Sequence, residues 1–172
     1  YQPQALKKMR QDKLNKNEVT NLRREFLSVS HLSHPNLAKA YSFGYDWTNK
    51  DYFFTSEYVD GVHLDIGLKD ADLDRILEGF VQSCRGLEFI HNHGMVHGDI
   101  KPENMLYQAD SVSLHDNEQG KKGQAFRIKL IDFGLTVKEK GFASKKIVGT
   151  AYYVAPEAIL GAMSDRRTDL YS

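Results

Sequence analysis

A single cysteine, Cys84, is too few for any internal disulfide framework, and it fits a reducing compartment, so cytoplasmic placement is expected. No stretch approaches the roughly eighteen consecutive apolar residues of a membrane span, and the first residues lack the apolar centre of a signal peptide. No membrane segment is therefore expected within this chain. Neither sign of charge is in excess, with Lys plus Arg and Asp plus Glu each totalling 23. A chain without a net field has little to draw nucleic acid to it, and none is expected as a partner. Internal repeats and low-complexity tracts are also missing. What is present is 172 residues with 41% hydrophobic content, enough for one globular domain with a true core.

The apolar periods predict several elements. Val19, Leu22, Phe26, Val29 and Leu32 recur at spacings of three and four, the mark of an amphipathic helix. Glu25 falls on that apolar face, where a carboxylate is costly to bury unless a cation meets it. Leu37 to Tyr45 and Asp51 to Tyr58 read as the strands of a hairpin around the polar turn 46–50. Asp72 or Asp74 caps a further helix carrying Ile76, Leu77, Phe80, Val81, Cys84, Leu87 and Ile90 on one face, with Gly94 as its stop. Cys84 in that stripe is expected to be a small buried hydrophobe. His91 and His93, two apart near the helix end, point in different directions and do not read as a metal pair. Phe126, Ile128 and Leu130 alternate with Arg127 and Lys129, a half-buried strand. Before it, residues 108–124 form a polar insert longer than a hairpin needs, read as a mobile solvated loop.

Three short blocks carry the chemistry: His97-Gly98-Asp99-Ile100-Lys101-Pro102-Glu103-Asn104, then Asp132-Phe133-Gly134, then Ala155-Pro156-Glu157. Phosphoryl transfer asks little covalent work of a protein. It needs a carboxylate near the acceptor hydroxyl, oxygen ligands for a metal, and cations over the phosphates. In this order, the blocks closely resemble the catalytic loop, metal-binding loop and activation-segment anchor of eukaryotic-type Ser/Thr protein kinases. The resemblance covers essentially the whole chain. It implies an α+β, two-lobed protein-kinase-like fold truncated at both ends, with a partial small lobe and hinge over 1–59 and a partial large lobe over 60–172.

It also implies roles. Asp99 would accept or orient the proton of the attacking hydroxyl, and Lys101 would neutralise charge on the transferring phosphoryl group. Asn104 and Asp132 would hold Mg2+, which prefers hard oxygen ligands. Gln4-Ala5-Leu6-Lys7 is similar to the family's Val-Ala-Ile-Lys strand, so Ala5 would pack on the adenine of ATP and Lys7 would bind phosphates, with Lys8 an immediate rival. Glu25 is the expected partner of Lys7. Ser56-Glu57-Tyr58-Val59 resembles the hinge, with Ser56 as gatekeeper; Glu57, Val59 and Leu106 complete the expected nucleotide contacts. Phe133, Gly134, Thr150, Ala155, Pro156 and Glu157 would belong to the activation segment, Thr150 bonding Asp99 and Lys101. Lys101 and Thr150 both point to serine or threonine on a protein as acceptor.

Gly98 departs from the pattern: most regulated members carry there an arginine that clamps a phosphorylated activation loop, so this chain is of the non-RD kind. His-Gly-Asp also occurs in aminoglycoside and choline phosphotransferases, which keeps a small-molecule phosphotransferase as a rival, and a pseudokinase scaffold is another. Tyr1 at the start and Asp169-Leu170-Tyr171-Ser172, similar to the opening of the family's helix F, read as the ends of a fragment. Such a fragment lacks the glycine-rich loop and the lower helices, and is expected to be inactive and to expose apolar surface.

Overall fold

In the strand Gln4–Lys8 (β1), Ala5 and Lys7 are half-buried while Gln4, Leu6 and Lys8 are exposed, the two-residue period of a pleated edge. The computed structural model describes residues 2–8, 16–109, 125–133, 137–138, 152–160 and 165–172. β1 pairs antiparallel with β3 (Asp51–Glu57), which pairs in turn with β2 (Ala40–Asp46), giving a three-stranded sheet in the order β1-β3-β2. The Asp46 carboxylate ties the connecting turn by accepting from the amides of Thr48 at 3.0 Å and Asn49 at 3.2 Å, and Lys50 takes a left-handed φ of 56°. The first hairpin strand starts later than its apolar run predicts. Leu37 forms instead a parallel bridge to Leu130, and the Ala38 amide donates to the Leu130 carbonyl at 2.9 Å.

Helix α1 (Lys16–Val29) lies against this sheet, burying Leu22 and Val29, with Leu32 buried just beyond its end. Phe26 packs its ring 5.9 Å from Phe43 and 6.2 Å from Phe54, fastening the helix to the hairpin. After a short strand β4 (Val62–His63) and one helical turn α2 (Leu64–Gly67) comes α3 (Leu73–Asn92), the long helix. Asp72 caps it by accepting from the Arg75 amide at 2.9 Å, and Gly94, at φ 68°, terminates it.

The two-residue β5 (Met95–Val96), a 3-10 turn at Pro102–Asn104, and the hairpin of β6 (Met105–Ala109) and β7 (Phe126–Leu130) frame the loop from His97 to Asn104. β4, β6 and β7 form one small sheet, while β5 pairs with β8 (Val137–Lys138). Two short helices follow, α4 (Pro156–Ile159) and α5 (Arg166–Tyr171).

Two apolar clusters hold these pieces. One joins α1, the start of the hairpin, α3 and the loop through Val29, Leu32, Leu37, Leu87, Ile90, Ile100, Leu130 and Phe133; the other packs Leu64, Leu68, Tyr107 and Ile128. The buried stripe of α3 is Gly79, Gln82, Ser83, Gly86, Leu87 and Ile90. Cys84 is exposed, contrary to its predicted burial, because close approach of α3 to β7 uses the glycine-bearing face. Leu77, Phe80 and Val81 are exposed beside it. With Leu170 and Arg166 of α5 they line a groove of ≈ 600 Å³.

Candidate active site

The pleat of β1 decides between the two lysines. Lys7 points inward, and its ammonium meets Glu25 Oε1 at 2.6 Å and Asp132 Oδ1 at 2.7 Å. Lys8 points out and reaches Asp46, at 3.6 Å. Burial pushes the Lys7 pKa down, but the two carboxylates outweigh it, so the net shift is upward and the ammonium stays charged. Glu25 keeps 9% of its side-chain exposure, and only a partner of this kind makes a carboxylate on the inner face of α1 tolerable. Two carboxylates far apart in sequence, one on α1 and one just beyond the end of β7, thus meet the cation on β1.

The loop before β6 holds the second half of the site. Asn104 Nδ2 donates to the Asp99 carbonyl at 2.8 Å and to Asp99 Oδ2 at 2.9 Å, and Lys101 Nζ lies 2.8 Å from the same Oδ2. Asn104 is buried, its own amide returning to the Lys101 carbonyl at 2.9 Å and its carbonyl taking the Ile131 amide at 2.9 Å. That last bond links the loop directly to the residue before Asp132. Asp132 has φ 59°, a left-handed conformation uncommon outside glycine and the Asn/Asp pair, of the kind that collects at functional sites.

The loop is anchored from below. Asp169 of α5, 3% exposed, accepts from the amides of His97 and Gly98, both at 2.8 Å, and pairs with His91 Nε2 at 2.8 Å. His97 is fully buried, with its ring 5.2 Å from that of Phe133. Its Nε2 lies 3.2 Å from the Ile131 carbonyl and its Nδ1 accepts from the Asp99 amide at 3.3 Å, which assigns a neutral ring protonated at Nε2. Burial lowers its pKa more than the surrounding carboxylates and the Ile131 carbonyl raise it.

The residues expected to meet the nucleotide lie on different elements. Ala5 sits opposite Ser56 across β1 and β3, Val59 is buried two residues past the end of β3, and Leu106 pairs with His63 in the small sheet. Glu57 carries a role the sequence did not reveal. Its carboxylate takes the Lys129 ammonium at 2.7 Å and the Lys39 amide at 3.2 Å, so it braces the end of β3 against β7. Lys129 was expected on the outer, solvated side of its strand and is instead buried. The buried anchor at Asp169 was likewise given no role in advance; its signal was its place in the Asp169-Leu170-Tyr171-Ser172 block.

Ala155 is fully buried and leads into α4 with Pro156 at the first helical position, while Glu157 Oε1 accepts from Thr168 Oγ1 at 2.9 Å. Phe133 is buried against the loop. Gly134, Thr150 and residues 110–124 of the insert lie outside the described residues.

The donor set fits Mg2+. Among the described residues no group of three or more His, Cys, Asp or Glu stands ready to hold a metal, whereas Asp132 offers a carboxylate beside the Lys7 cation and Asn104 an amide oxygen on the loop whose backbone is bonded to Ile131. A hard ion that keeps its waters and shares the oxygens of a bound phosphate chain needs few protein ligands.

A paired lysine and glutamate, an aspartate held by asparagine and lysine, and a second aspartate just beyond a strand thus gather on an α+β frame. The chain belongs to the protein kinase domain family, which it matches over residues 1–172. It is 31% identical over 160 residues to the serine/threonine-protein kinase PknB of Mycolicibacterium smegmatis, covering 87% of this chain and 23% of that protein. A probable serine/threonine-protein kinase of Clostridium acetobutylicum is 30% identical over 160 residues, covering 90% and 22%. Another, from Streptomyces coelicolor, is 32% identical over 160 residues, covering 87% and 22%. The chain thus spans less than a quarter of the length of these relatives. No described helix is long and apolar enough to cross a membrane.

Proposed function

We propose that this domain transfers the γ-phosphoryl group of ATP to serine or threonine hydroxyls of proteins. The observation that carries the reading is the Asp99 carboxylate, held by Asn104 and Lys101 on a loop bonded to the residue preceding Asp132. In the reaction, the acceptor oxygen forms a bond to the γ-phosphorus, the bond to the β–γ bridging oxygen breaks, and ADP leaves. Asp99 orients the hydroxyl and receives its proton, while Lys101 offsets charge on the transferring group. Lys7, held by Glu25, binds the α- and β-phosphates. Ala5, Val59 and Leu106 enclose the adenine, with backbone groups of the hinge at Glu57 meeting its polar edge. Asn104 and Asp132 would hold Mg2+, which when bound neutralises phosphate charge and aligns the chain for in-line displacement.

The named relatives, all serine/threonine-protein kinases, support the choice of acceptor, as does Lys101. Gly98, at φ 80°, leaves a phosphorylated activation loop without an arginine clamp, so we read the site as independent of that modification. The single exposed cysteine and the need for ATP support a cytoplasmic placement. The test is incubation of the protein at its full natural length with labelled ATP, Mg2+ and a mixed Ser/Thr/Tyr protein substrate, followed by phosphoamino-acid analysis. Label on phosphoserine or phosphothreonine is the expected result. Label transferred only to small alcohols or aminoglycosides, or to nothing while ATP still binds, overturns the reading in favour of a small-molecule phosphotransferase or a scaffold.

A further inference from the structure

β7 ends two residues before Asp132, and a strand has two edges to satisfy. One edge is paired with β6 from Ala109↔Phe126 to Met105↔Leu130. Among the described residues the other meets no neighbouring strand along most of its length, yet its groups are bonded in sequence. Gln82 Nε2 donates to the Phe126 carbonyl at 3.2 Å, and Gln82 Oε1 accepts from the Ile128 amide at 2.9 Å. Asn36 Nδ2 donates to the Ile128 carbonyl at 2.8 Å. The Asn36 carbonyl accepts from the Leu130 amide, and the Leu130 carbonyl from the Ala38 amide, both at 2.9 Å. The two side-chain amides also bond one another, Asn36 Nδ2 to Gln82 Oε1 at 3.2 Å. Both residues are buried, and Glu78 takes a further Gln82 Nε2 bond at 3.1 Å.

We infer that Gln82 and Asn36 are positioning residues for Asp132: their amides act as a substitute strand that fixes the height and direction at which β7 delivers the metal-binding carboxylate. The inference rests on the reading of Asp132 as a Mg2+ ligand given above. The geometry is specific to primary amides. A carboxylate at either position loses the donor and sets an oxygen against a backbone carbonyl, with little change of shape. It also ties the metal ligand to two elements at once, since Gln82 lies on α3 and Asn36 on the segment after α1.

The experiment uses the protein at its full natural length with Gln82→Glu, Asn36→Asp and, as reference, Asp132→Asn. For each, the Mg2+ concentration for half-maximal ATP binding is measured beside the affinity for metal-free ATP and the thermal midpoint. Both amide variants are expected to raise the Mg2+ midpoint about two- to tenfold, the effect of losing one buried hydrogen bond, with metal-free affinity nearly unchanged. Lowered thermal midpoints with an unmoved Mg2+ midpoint mean that the amides only stabilise the fold, and overturn the inference while Asp132→Asn still weakens Mg2+ binding. An unmoved midpoint in Asp132→Asn itself overturns the metal reading and this inference together. If neither amide variant folds, amide exchange in the unmutated protein decides. Mg2+ with ADP is expected to slow exchange at Ile128 and Leu130, and unchanged exchange there overturns the inference.

Discussion

His97 is neutral in the folded protein because burial leaves its imidazolium without water, and both ring nitrogens already have partners in the neutral form. The unfolded side chain titrates at its ordinary value of 6.5, the folded one below it. Between the two, the unfolded state binds the extra proton, so stability is present above about pH 6.5 and is lost as pH falls through that window. Denaturant unfolding at pH 7.5 and 5.5 should show this loss, and His97→Gln should flatten the slope by up to one proton's worth, about 1.4 kcal/mol per pH unit. An unchanged slope would place the acid sensitivity elsewhere. At this same scale, the proposed site residues Asp99, Asn104 and Asp132 could be singled out in the sequence because phosphoryl transfer constrains residue type and order. Lys7 against Lys8 was not settled by composition; the pleat settled it. Lys129 was misplaced because alternation marks the side of a strand a residue faces, and cannot show that a glutamate waits on that side.

Helix α3 shows how an element can be read correctly in extent and wrongly in orientation. Its cap at Asp72 and stop at Gly94 were legible from single residues with known stereochemical uses. Its buried face was not, since apolar residues occupy more than one side and the winning face carries Gly79, Gln82, Ser83 and Gly86. Small residues allow the approach: a Cβ at Gly86 would lie 3.0 Å from Leu130 Cδ1 and 3.2 Å from the Asn36 carbonyl oxygen. The late start of β2 has a related cause, because Leu37 and Ala38 are drawn to β7 by backbone bonds no local pattern records. Gly86→Val should cost about 1–3 kcal/mol by forcing α3 away from β7, read as a lower denaturant midpoint at unchanged slope. A variant as stable as the parent would show that the contact yields freely.

Across the whole molecule, one apolar cluster runs from α1 through α3 to Phe133, and polar anchors at Asp169, Asn104 and Lys7 tie the loops to it. On the proposed reading, Gly98 leaves the site without an arginine clamp for a loop phosphate, so activity is expected not to depend on that modification. Phosphatase-treated protein should retain most of its rate and Ser144→Ala should be nearly silent, while Thr150→Ala should slow turnover through loss of its proposed bonds to Asp99 and Lys101. Protein that stays inactive until rephosphorylated at Ser144 would contradict that independence. The central claim is that the Asp99 carboxylate serves the acceptor hydroxyl. It is tested most directly by comparing the parent protein and Asp99→Asn, both at full natural length, for phosphorylation of a Ser/Thr protein substrate and for MgATP affinity. The predicted result is a rate lower by about two or more orders of magnitude with nucleotide affinity nearly unchanged; near-normal turnover in the variant would contradict the account.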